Sequence, residues 1–160
     1  MPLDPKTLTD ELSKFIDKES SLFDKFPSSK EDAADKWAKA FDAYAKGVFP
    51  LSNGMNQAAI SDFKGNFMTI DDDTGMTQLA QCFVLYAVKL SDGMTIAVPT
   101  ITGIPPAGAP NLSSVPGIGM AGGKSAQCIQ TLVTIVDTWM KTGKAIDITT
   151  GIPVTIPAWL

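Results

Sequence analysis

A chain of 160 residues with 13 lysines against 17 acids, a net charge of −4, and neither histidine nor arginine lacks the concentrated positive footprint that nucleic acid requires. Without histidine no side chain has an unperturbed pKa near neutrality, and without arginine there is no bidentate fork for carboxylate or phosphate. Ser-His and Cys-His dyads, histidine metal sites and arginine fingers are thereby excluded, so the expectation is a non-enzymatic protein with no cofactor and no small-molecule substrate.

The charges are also unevenly placed. Residues 1–47 hold eighteen of the thirty charged side chains, whereas the 44 positions from 93 to 136 hold Lys124 alone. Average usage is about one charged residue in four. A segment so poor in charge, and rich in Ile, Val, Met and Pro, cannot easily cover its own surface with polar groups. Burial against other chains is the economical explanation, and it makes the protein a subunit. The length suits one domain, 1–160, that buries about two-thirds of its unfolded surface. The opening MPLDPKTLTDEL has no signal-peptide pattern, and no run of about eighteen apolar residues offers a membrane span.

In chain order, Asp4 supplies an N-cap and Pro5 suits a first turn. Leu8, Leu12, Phe15, Ile16, Leu22, Phe23 and Phe26 recur at three- and four-residue steps, which predicts a helix from Pro5 or Lys6 to Phe26, stopped by Pro27. Ser29 and Asp32 are spaced as a capping box for a second helix, whose core face carries Ala34, Trp37, Ala38, Phe41 and Ala45 with Tyr44 alongside. Gly47 suits its end, and the two helices read as a charged antiparallel hairpin over 1–47. The central part, 48–97, holds a short helix near Asn56–Lys64, an exposed turn at Asp71–Gly75, and a third long helix over Thr77–Leu90. Gly93 is expected to end that helix, with Met94–Val98 alternating as a short strand.

From 98 to 123 eleven of 26 residues are Gly or Pro. The segment is nonetheless apolar, whereas disorder favours polar composition, so an ordered arm pressed on a surface is expected. A fourth long helix is predicted over Ser125–Thr142, closed by Gly143, with Cys128, Leu132, Ile135 and Trp139 on one row and Ile129, Val133, Val136 and Met140 on the next. The tail, Ala145–Leu160, alternates β-branched residues. The fold class is therefore mainly α: four long helices, a Pro/Gly-rich arm and a few short β-strands. Thr100–Pro105 and Ile148–Pro153 echo one another as Thr/Ile-Xaa-Thr-Gly-Ile-Pro, which would suit two similar edge strands.

Two motifs imitate chemistry. Gly119-Met-Ala-Gly-Gly-Lys124-Ser125 looks like a phosphate-binding loop, but the glycine required five residues before Gly123 is Ile118. Phe67-Met-Thr-Ile-Asp71-Asp-Asp73-Thr74 is similar to the start of haloacid-dehalogenase-class phosphotransferases, yet its threonine comes one residue early, and the run also lacks the later ligands of a calcium loop. A solvated acidic turn is the simpler reading. Cys82 and Cys128 sit in helical patterns and read as two buried free thiols; a disulfide would need Cα atoms about 4.4–6.8 Å apart. Trp37 and Trp139 fit core positions, while Trp159, at the C-terminal end, either folds back on its own domain or fills a neighbour's pocket.

Several segments together carry a resemblance: Leu3-Asp4-Pro5, Lys36-Trp-Ala-Lys-Ala-Phe-Asp-Ala-Tyr-Ala-Lys-Gly47, Gly93-Met94 before a proline-rich stretch, and Val136-Asp-Thr-Trp-Met-Lys-Thr-Gly-Lys144. In this order they resemble a family of small virion-associated structural proteins of tailed bacteriophages. The Asp71–Asp73 run and the Ile-Pro-rich tail depart from that pattern. The resemblance implies a component of the phage particle, of tail or baseplate rather than head, made in the host bacterial cytoplasm and partnered by other phage structural proteins and copies of itself. Within such an assembly the expected interface residues are Ile101, Ile104, Leu112, Val115, Ile118 and Met120 of the arm and Ile156, Trp159 and Leu160 of the tail. A capsid decoration protein and a tail-tip module binding the host surface are the rival readings.

Overall fold

The computed structural model describes residues 3–46, 53–71, 75–97, 100–115 and 125–153. It is mainly helical, with five helices and a two-stranded antiparallel sheet among the described residues. The first helix, α1, covers Pro5–Ile16. Asp4 caps it twice, accepting from the Lys6 N–H at 3.1 Å and from the Thr7 hydroxyl at 2.9 Å. Leu8, Leu12 and Phe15 form its buried stripe.

The helix ends ten residues before the expected Phe26. Asp17 is extended, at φ −106° and ψ 93°, and its carboxylate accepts from the Glu19 N–H at 3.1 Å. The Asp24 N–H then donates to the Lys14 carbonyl at 2.8 Å, folding the connection back over the helix end. Short polar side chains that bond nearby backbone compete with helix in this way. Leu22 and Phe26 continue the apolar period but are exposed, and Phe26 meets Phe23 edge-on at 4.9 Å.

The second helix, α2, covers Lys30–Ala45, with the Ser29 hydroxyl accepting from the Asp32 N–H at 3.1 Å. The capping box is displaced by one residue, because the Asp32 carboxylate accepts from the Ser28 N–H at 2.9 Å. That bond holds the Asp32 carboxyl below its usual range. Gly47, the expected end, lies outside the described residues.

Two further helices form the centre. The third, α3, covers Asn53–Phe67 and exceeds the expected Asn56–Lys64 at both ends. The fourth, α4, covers Gly75–Ala97 and runs straight through Gly93, so Met94–Ala97 are helical rather than a strand, while Val98 is outside the described residues. The reason is packing. Phe83, Ala87, Leu90 and Met94 continue one fully buried stripe, and burying Met94 offsets the roughly 1 kcal/mol that an interior glycine costs. Phe41 of α2 sits where α2, α3 and α4 converge, with ring centroids 4.8 Å from Phe83, 5.0 Å from Tyr86, 5.6 Å from Tyr44 and 6.1 Å from Phe63.

The strand β1, Ile101–Ile104, pairs antiparallel with β2, Lys144–Asp147, in the register Ile101↔Asp147 to Ile104↔Lys144. Both edges of this small sheet are occupied. On one side β1 lies against α4, where the Gly103 N–H faces the Thr95 hydroxyl at 3.4 Å. On the other side Pro153 bridges Ile146, and the Asp147 N–H donates to the Ile152 carbonyl at 3.1 Å. The Thr-Gly-Ile-Pro echo therefore splits: its first copy supplies β1, while its second is a turn closed by Asp147 and by Gly151 at φ +68°. The fifth helix, α5, covers Ser125–Met140, two residues short of the expected Thr142. It buries Cys128, Ile129, Leu132, Val133, Val136, Trp139 and Met140, which unites the two rows seen in the sequence.

Candidate functional site

The expected interface residues divide into three groups. Ile101, Leu112 and Val115 are buried in the chain's own core, so their apolar surface is already covered. The described part of the arm is likewise folded inward, with Pro106 and Pro110 buried and the Ala107 carbonyl accepting from the Trp139 indole N–H at 3.2 Å. Ile104 is 39% exposed, and it shares the sheet region with Ile148 and Ile152, exposed at 59% and 63%. Ile118, Met120, Ile156, Trp159 and Leu160 lie outside the described residues, as do Lys124 and most of the false phosphate loop. Sequence reasoning passed over Ile148 and Ile152, although the regular alternation of the tail predicts that half of its β-branched residues face outward.

Two buried polar clusters are built on α2, two positions apart and so on different faces of the helix. On one face the Tyr86 hydroxyl donates to Asp42 Oδ1 at 2.6 Å, and the Asn56 amide donates to Asp42 Oδ1 at 2.9 Å and to the Tyr86 oxygen at 3.0 Å. On the other face the Tyr44 hydroxyl donates to Asp137 Oδ1 at 2.8 Å, and Lys141 donates to Asp137 Oδ2 at 2.7 Å. The first cluster keys α2 to α3 and α4, and the second keys it to α5. Buried polar groups that find these partners fix one helix register, because any other would leave a carboxylate desolvated. Asn56 Oδ1 is buried without a partner.

These groups are poorly suited to acid–base or nucleophilic chemistry. Burial first, and then the facing carboxylate, drives both phenols well above their ordinary range. They remain protonated donors. Burial pushes the Cys82 thiol up to about 11, partly opposed by the Asn66 amide that donates to Sγ at 3.3 Å. The thiolate is the nucleophile, so Cys82 is inert at neutral pH. Asp35 is held below its usual range by Lys39 and by Lys64, which bridges α2 to α3 at 2.9 Å. Among the described residues no group of three or more His, Cys, Asp or Glu could hold a metal ion, and no helix is long and apolar enough to cross a membrane.

Cys82 gives a direct measurement. In native protein at pH 8 its alkylation by iodoacetamide should be slower than in urea by a hundredfold or more, since both access and thiolate fraction fall. Labelling at the unfolded rate would disprove its burial. The linked pH effect has a definite sign. The folded thiol titrates higher than the unfolded one, so its contribution to stability is complete below the unfolded pKa and is lost as pH rises from about 9 through 11.

No protein-family model, curated protein or solved structure matches the chain.

Proposed function

We propose that this protein is a non-enzymatic structural subunit of a bacteriophage particle, of its tail or baseplate, and acts by packing against other chains. The observation that carries the reading is the polarity of the surface. Charged side chains crowd the N-terminal helices. The exposed positions of the sheet region and of α5 are mostly Thr, Gln and Ile, including the outward Ile104, Ile148 and Ile152, with Lys144 as their one charged side chain. Exposed apolar side chains grouped in one region mark association surfaces. The state of the polar groups agrees, since the phenols and the Cys82 thiol are held protonated and Asp35, Asp42 and Asp137 are engaged by neighbouring side chains. The resemblance carried by the Lys36–Gly47 and Val136–Lys144 segments supplies the phage context.

Quantitative mass spectrometry of purified particles tests the proposal. The protein should be present at a fixed copy number relative to the tail proteins, and particles stripped of tails should lack it. Its absence from particles, with abundance in the infected-cell lysate, would overturn the reading.

A further inference from the structure

We draw no further inference here: the strongest candidate, the exposed apolar side chains of Ile104, Ile148 and Ile152 in the region of the two-stranded sheet, carries nothing beyond the subunit reading because nothing in the structure shows what covers them.

Discussion

Phe41→Ala should destabilise the protein by about 3–5 kcal/mol, the range for deleting a buried aromatic ring from a core. Phe41 is fully buried and is the ring that touches α3 and α4 together, through Phe63, Phe83 and Tyr86. Its loss removes apolar contact area and the edge-on contact with Tyr86, and leaves a cavity bordered by the phenols that key α2 to its neighbours. Urea unfolding should show a lower midpoint with an unchanged slope, and the melting temperature should fall by about 10 °C, at roughly 2–4 °C per kcal/mol for a chain of this size. Phe41→Leu keeps much of the volume and should cost clearly less. A loss below about 1 kcal/mol for the alanine variant would mean that the three helices do not converge on this ring.

Gly103→Ala should cost about 1–3 kcal/mol, an unusually large penalty for one methyl group in an exposed two-stranded sheet. The cause is space rather than backbone conformation, since Gly103 is not among the glycines with positive φ. A Cβ there would lie 2.5 Å from the Ser91 carbonyl oxygen and 2.8 Å from the Ser91 Cα, both parts of the α4 backbone, which cannot swing aside as a side chain could. The strand would have to lift from the helix, weakening the burial of Ile101. Gly65→Ala provides the opposite sign. That glycine lies in α3 with nothing within 4 Å of a new Cβ, so alanine should stabilise by about 0.5–1 kcal/mol. If both variants shifted the urea midpoint alike, the close approach of β1 to α4 would be refuted.

Much of the helical layout is legible from period and caps. Ser29 marks the start of α2, Asp4 and Pro5 mark the start of α1, and the two apolar rows of α5 are the faces it buries. The errors have specific causes. Leu22, Phe23 and Phe26 keep a helical spacing, but spacing does not report that Asp17 diverts the chain through a side-chain bond to the Glu19 N–H. Gly93 looks like a helix stop because propensity is local, whereas the burial that holds Met94 in α4 comes from distant residues. The arm reads as apolar, and its described part turns Ile101, Leu112 and Val115 inward. Its composition could not say whether the covering surface belongs to the same chain, and for Ile101, Leu112 and Val115 it does. The polar clusters left no sequence signal, because Tyr44 and Asp137 are 93 positions apart and nothing local to either names the other.

The pairing of Ile104 with Lys144 makes residues 105–143 a closed loop, fastened at its base by the two short strands. Closing such a loop costs chain entropy that grows only slowly with its length, but the whole cost must be met before the strands gain anything in return. The first four helices precede the loop in the chain, and α2, α3 and α4 share the aromatic cluster without it. The two short strands at the loop's base, which lie outside that cluster and outside α5, are thus the section able to unfasten while the helices hold, and amide exchange in Ile101–Ile104 should outpace exchange in the middle of α4. Unfastening would uncover Ile101, turning a residue now spent on the chain's own interior into surface that a neighbour could take up.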